Sequence, residues 1–240
     1  MGDAGRRVLT VARGGPQIIP RPVGWRAGAP NPWHGRLTGE QLSISHIESR
    51  LADLKTGRIP SLAGPLMRPP VLVTKGQAAV LAPLFKGSQG ETRVLLTRRS
   101  TRLSTHSGEV AFPGGRVDPE EELHVAALRE AHEEIGLAPE HVRIIGQLEP
   151  LATRVSRAAI TPFVGFVDEL PPLTPSPREV DRIFDVSLRE LIEPDCYREE
   201  IWPIPDEVGG EFSVYVFEVE GDTVWGATGR MLHRLLSLLL

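Results

Sequence analysis

A mixed α/β sandwich (α+β class) is the fold that this 240-residue sequence predicts, and three observations predict it. Short apolar runs separated by turn residues recur at 78–84, 93–97, 142–148, 160–167 and 212–219, the pattern of strands. One helical segment with well-marked ends interrupts them at 118–135. A second closes the chain at 228–239, apolar at Met231, Leu232, Leu235, Leu236 and Leu239 as a packed face requires. Strands mixed with a few helices bury their apolar faces as stacked layers of sheet and helix.

Taken in order, residues 1–36 are rich in Gly, Pro and Arg and show little apolar periodicity. Such a segment buries too little surface to offset its ordering entropy, so a flexible tail is expected there, with Trp25 and Trp33 as the residues able to dock. The domain is expected to span 37–240. Thr38 reads as the N-cap of a helix carrying Leu42, Ile47, Leu51 and Leu54, and the Pro-rich stretch 63–70 as a break. From Gln77 the pattern becomes extended: two apolar runs flank Lys86-Gly87-Ser88-Gln89-Gly90, a hairpin.

Composition excludes several function classes. A net charge of -4 and the lack of any Lys/Arg block argue against nucleic acid as a partner, which needs a basic stripe. The single cysteine, Cys196, permits neither an intrachain disulfide nor a four-cysteine zinc site and fits a reducing, cytoplasmic compartment. With no His-containing motif beside it, Cys196 reads as structural rather than nucleophilic. The N-terminus lacks the apolar core of a signal peptide. The C-terminal run 231–240 is broken by His233 and Arg234 and is about half the roughly 20 residues that a bilayer span needs, so no membrane partner is expected.

The chemistry concentrates in 112–137. Asp118 reads as an N-cap, Pro119 as the first helical residue and Glu121 as the third, a capping box. Gly136 suits a left-handed C-cap, with Leu137 folding back on the last turn. At about 100° per residue, Glu130, Glu133 and Glu134 share one face, beside an apolar stripe of Leu128, Ala131 and Ile135. Carboxylates at i, i+3 and i+4 repel by a few tenths of a kcal/mol per pair when exposed, and more beside a packed stripe. A hard divalent cation, Mg²⁺ or Mn²⁺, removes that conflict. A merely solvated acidic face is the competing reading. Against it stand Gly114-Gly115, which let a backbone carbonyl approach a metal, the preceding Phe112-Pro113, and Arg129 beside Glu130.

This segment resembles a complete Nudix box: Gly115, five residues, Glu121, seven residues, Arg129-Glu130-Ala131, one residue, Glu133-Glu134-Ile135-Gly136-Leu137. Ala131 is smaller than the aliphatic residue the pattern prefers. The resemblance implies a Nudix α/β/α sandwich with a mixed sheet and metal-dependent hydrolysis of a pyrophosphate bond in a small-molecule nucleotide. It implies Glu130, Glu133, Glu134 and the carbonyl of Gly114 as metal ligands. Arg129 is implied to orient the glutamates together with Glu121, and Glu130 to take the water's proton. Glu179 and Asp181 are candidates for a further carboxylate from outside the box.

Upstream, Leu95-Leu96-Thr97, Arg99-Ser100, Gly108 and Phe112-Pro113-Gly114-Gly115 are similar to the signature of the coenzyme A pyrophosphatase branch. That branch yields 3′,5′-ADP and a 4′-phosphopantetheine product. Thr105 stands where the signature has an arginine, with Arg102 nearby. The substrate-binding set that follows is Arg98, Arg99 and His106, with Gly108 and Phe112 of the signature. Strand alternation means that Arg98 and Arg99 do not both face the site. The resemblance runs from about Lys75 to the C-terminus, and it makes Phe163 and Trp225 either core residues or stacking partners for adenine. Two alternatives remain: hydrolysis of another nucleoside diphosphate derivative, such as ADP-ribose or a dinucleotide, and a non-catalytic nucleotide-sensing module. The complete set of box carboxylates counts against the module.

Overall fold

A computed structural model of the chain describes residues 12–60, 76–152, 159–204 and 210–240. The break expected at 63–70 lies outside the described residues. The larger sheet is built on β2 (Gln77–Lys86) and β3 (Thr92–Arg99), the expected hairpin, with Leu84 opposite Val94 and the Gly90 N–H donating to the Gly87 carbonyl. β2 also pairs in parallel with β8 (Ala159–Val167) and antiparallel with β5 (Gly114–Arg116). β4 (Val110–Ala111) and β9 (Val180–Ser187) pair with β3, while β6 (Arg143–Gln147) and β7 (Leu151–Ala152) pair with β8. A smaller antiparallel sheet runs in the order β1 (Arg26–Ala27), β10 (Tyr197–Pro203), β11 (Glu211–Val219), β12 (Asp222–Val224). The helices are α1 (Ile44–Lys55), α2 (Leu123–Ile135), the short α3 (Leu188–Leu191) and α4 (Gly226–Leu238).

Alternation along the strands separates two cores. Ala79, Leu81, Leu95, Phe163 and Val167 point to one face of the large sheet and pack under Ala127, Ala131 and Ile135 of α2. Val80, Ala82, Leu84, Val94, Leu96 and Val164 point to the other, where Ile47 and Leu51 of α1 meet Leu232, Leu235 and Leu236 of α4. This is the mixed-sheet α/β/α layering that the strand and helix patterns predict.

The tail expectation is corrected for residues 12–36. Trp33 has 0% exposure; it stands edge-on to Tyr197 at 4.8 Å and stacks over Phe217 at 6.2 Å. Arg21 holds Glu200 with a bidentate ion pair, Arg13 pairs with Asp195 and Glu190, and Arg26–Ala27 adds an edge strand to β10. Low periodicity misleads here because this segment is held by ion pairs and single aromatic insertions, neither of which leaves a repeat. Trp25, the other tail tryptophan, stays 43% exposed.

Two helix starts also shift. Ser43, not Thr38, caps α1, its Oγ accepting from the His46 N–H at 3.3 Å; the Thr38 carbonyl instead closes a preceding turn with the Leu42 N–H. Only half of the expected capping box forms: the Asp118 N–H donates to the Glu121 carboxylate at 3.1 Å, while the Glu121 N–H is taken by the Asp118 backbone carbonyl rather than its side chain. This closes a separate turn in which Glu120 has φ 66°, and α2 begins after Glu122. The other end is as expected, with Gly136 at φ 73°. β9 and β10 escape the apolar pattern because their charges are neutralised locally: Glu200 in β10 is buried among Arg21, Arg198 and the Trp202 indole N–H.

Candidate active site

The site forms where β5 and the end of β3 face α2. The Leu81 N–H bonds the Pro113 carbonyl and the Val117 N–H bonds the Gln77 carbonyl, so Gly114 falls at the alternate pairing opposite Val80. Its N–H is thereby released toward α2 and donates to Glu134 Oε2 at 3.1 Å. A side chain at Gly114 would stand 2.4 Å from the Ala79 carbonyl, and one at Gly115 2.5 Å from the Glu130 carboxylate. Close approach to backbone therefore demands glycine at 114, while a side chain at 115 would displace the Glu130 carboxylate.

Arg129 organises the carboxylates. Its guanidinium donates to both oxygens of Glu121 (2.9 and 3.1 Å), to Glu130 at 3.1 Å, to Glu133 at 3.2 Å and to the Arg116 carbonyl at 3.1 Å. These bonds hold the Glu121 carboxyl below its ordinary range and raise the arginine still further above its own. Glu134 is different. Only 7% of its side chain is exposed, and burial pushes its carboxyl up to about 7, against the opposing pull of the Gly114 N–H and Arg99 and with added repulsion from Glu130 and Glu179. Burial likewise raises Glu130, opposed by Arg129, with Glu133 and Glu179 adding to the rise.

Buried carboxylates that repel one another are hard oxygen donors of the kind a divalent cation stabilises, and Glu130 and Glu134 are of that chemistry. Among the described residues no group of three His, Cys, Asp or Glu side chains is placed to hold a metal ion; Glu130 and Glu133 pair with Arg129 instead, and Glu133 is 56% exposed.

The extra-box candidates separate. Glu179 lies within electrostatic reach of both Glu130 and Glu134, and its carbonyl accepts from the Ser100 N–H. Asp181 instead accepts from the Thr101 N–H at 3.0 Å and serves the loop, which lowers its pKa.

The structure divides the expected substrate-binding residues. Arg99 points to the α2 face, its Nη1 3.7 Å from Glu134 Oε1. Arg98 points to the opposite face and pairs with Asp222 at 3.2 Å. His106 has φ 55° and bonds Glu109 at 2.9 Å, half exposed on the loop with Gly108. Phe112 requires correction: at 3% exposure it packs in the core, where its ring serves the sheet rather than a ligand. Phe163 is buried under α2, and Trp225 is partly buried beside Trp202. Cys196 is buried, which pushes its thiol up to about 12 and fits the structural reading. Among the described residues no helix is long and apolar enough to cross a membrane.

Two residues that support this region carried no sequence signal of their own: Gln17, which donates to the Gly108 carbonyl, and Asp222. The only hint was Gly14-Gly15-Pro16, a pair of glycines suited to close backbone approach.

Comparison with known proteins agrees with this geometry. Residues 75–212 match the model of the NUDIX domain. Over 182 residues the chain is 35% identical to Nudix hydrolase 15, mitochondrial, of Arabidopsis thaliana, covering 72% of this chain and 62% of that protein. It is 37% identical to Nudix hydrolase 22, chloroplastic, of the same plant, covering 69% of this chain and 56% of that one. With an uncharacterized Nudix hydrolase NudL of Photorhabdus laumondii it shares 36% identity over 66% of this chain and 82% of the relative. The chain thus spans less than two thirds of the length of the two plant relatives.

Proposed function

We propose that this chain, which belongs to the NUDIX family, is a divalent-metal-dependent hydrolase that cleaves the pyrophosphate bond of coenzyme A and its derivatives. The products are 3′,5′-ADP and (acyl-)4′-phosphopantetheine. The observation that carries the reading is the Arg129 clamp on Glu121, Glu130 and Glu133 beside the buried Glu134.

Glu130, Glu133, Glu134 and the Gly114 carbonyl would hold Mg²⁺ or Mn²⁺, which supplies Lewis acidity and neutralises the charge of the diphosphate. Arg129 orients Glu130 by a charge-assisted bond. Glu130 accepts the proton of the attacking water as the water oxygen bonds to phosphorus and the bridging P–O bond breaks. Glu179 adds negative charge on the same side and is the carboxylate outside the box best placed to assist. Arg99 faces the site with its side chain 27% exposed and its Nη1 3.7 Å from Glu134, so its guanidinium is the cation placed to meet a substrate phosphate.

The resemblance of 95–115 to the coenzyme A branch supports the choice of substrate. A panel of coenzyme A, acetyl-CoA, ADP-ribose, NADH and diadenosine polyphosphates, assayed with Mg²⁺ and with Mn²⁺, tests it. Fastest turnover of a CoA species is expected. ADP-ribose ahead of every CoA species would transfer the protein to the other nucleoside diphosphate derivatives, and absence of turnover would leave a sensing module. The single buried cysteine supports a reducing, cytoplasmic setting.

A further inference from the structure

The N-terminal segment crosses the back of the loop that precedes the box. Gly15 lies so close to the β11–β12 turn that a side chain there would stand 2.4 Å from the Asp222 Cα, and its N–H donates to Thr223 Oγ1 at 3.1 Å. This contact delivers Gln17 to a junction where its whole amide is used. Gln17 Oε1 accepts from the Thr223 N–H at 2.8 Å. Its Nε2 donates to Asp222 Oδ1 at 2.7 Å and to the Gly108 carbonyl at 3.0 Å.

Each partner leads toward the site. Gly108, at φ 71°, ends the loop and donates its N–H to the Arg99 carbonyl at 3.2 Å. Asp222, with 0% exposure, pairs with Arg98 of β3 and at 2.7 Å with Arg182 of β9. Arg98 is the immediate neighbour of Arg99, which faces Glu134. One side chain from the N-terminal segment therefore ties the end of the loop to β12 and, through a buried carboxylate, to the strand that aims Arg99. This part-buried junction, anchored on the buried Asp222 and using both amide hydrogens and the oxygen of Gln17, favours one arrangement, because a shift leaves the buried carboxylate short of a partner.

We propose that Gln17 is a positioning residue for the loop 100–109, so that the N-terminal segment sets how tightly the substrate is held there. The inference rests on the proposed function, in which the 95–115 segment meets the substrate. In the test, full-length Gln17→Met, which keeps length and removes the amide, is compared with wild type on whichever pyrophosphate wild type hydrolyses fastest. Gly15→Ala serves as a second way to lift the segment, since its Cβ would strike the Asp222 Cα and the Gly221 carbonyl as well as the Gln17 amide oxygen.

Both variants are expected to raise KM about tenfold with kcat within about twofold. Amide exchange is expected to quicken over 101–108 and to stay unchanged over 123–135. KM unchanged in both variants overturns the proposal, as does a fall in kcat at constant KM or a lower thermal midpoint as the sole effect. The substrate reading fails separately: if wild type prefers ADP-ribose to CoA, the KM comparison on ADP-ribose still decides the role of Gln17. If wild type hydrolyses none of the panel, unchanged exchange over 101–108 overturns it.

Discussion

Arg99 Nη1 stands 3.7 Å from Glu134 Oε1, joining the last residue of β3 to the buried carboxylate of α2. The preceding residue, Arg98, reaches Asp222 on the far side of the same sheet. Two adjacent arginines thus serve opposite layers, one at the site and one in the scaffold behind it, as the period of two along a strand requires.

The first consequence concerns these two residues. Arg98→Ala should lower unfolding free energy by about 1–3 kcal/mol, because Asp222 keeps Arg182 and Gln17 but loses one charged partner. Arg99→Ala should leave stability near wild type and instead remove the preference for CoA over 3′-dephospho-CoA, put at about 10- to 150-fold for one charge-assisted contact. Urea titrations and kcat/KM on the two substrates separate the roles. The opposite assignment would show that Arg98 is the one meeting substrate.

Glu134→Gln keeps shape and removes charge. Turnover at saturating Mg²⁺ should fall by about a hundredfold or more, with the circular dichroism spectrum unchanged. Undiminished activity would remove Glu134 from the metal-binding set.

Trp33→Ala should cost about 3–5 kcal/mol, since it empties a wholly buried aromatic site between Tyr197, Phe217 and His233. Deleting residues 1–36 should lower the thermal midpoint by several degrees or more for the same reason. A midpoint equal to that of the full chain would restore the flexible-tail expectation.

His233 stacks on Tyr215 at 3.6 Å and faces Trp33 and Tyr197, with Arg230 and Arg234 on its own helix. Burial first, then the two arginines, lowers its pKa from 6.5 to about 4. The unfolded chain therefore binds the proton more readily between these values, so the contribution to stability is complete above about 6.5 and is lost as pH falls toward about 4. Thermal midpoints across that window should drop less for His233→Phe than for wild type. Parallel curves would mean that His233 does not titrate as described.

The α2 helix, its C-cap and the glutamate face are legible in the sequence because they depend on spacings of three and four residues within one segment. The β2–β3 hairpin is legible for a similar reason, its turn residues lying between two apolar runs. The sequence alone also determines that Arg98 and Arg99 diverge. Which of them meets Glu134 depends on which side of the sheet α2 packs, and that is decided by apolar burial between segments distant along the chain. The docking of residues 12–36 is decided in the same way: Arg21 needs Glu200, Trp33 needs Phe217, and Gln17 needs Asp222, partners more than 170 residues away. A periodic pattern records the local geometry of one element. Pairings across such separations become visible only when tertiary packing brings the partners to hydrogen-bond distance, where leaving them unpaired and buried would be costly.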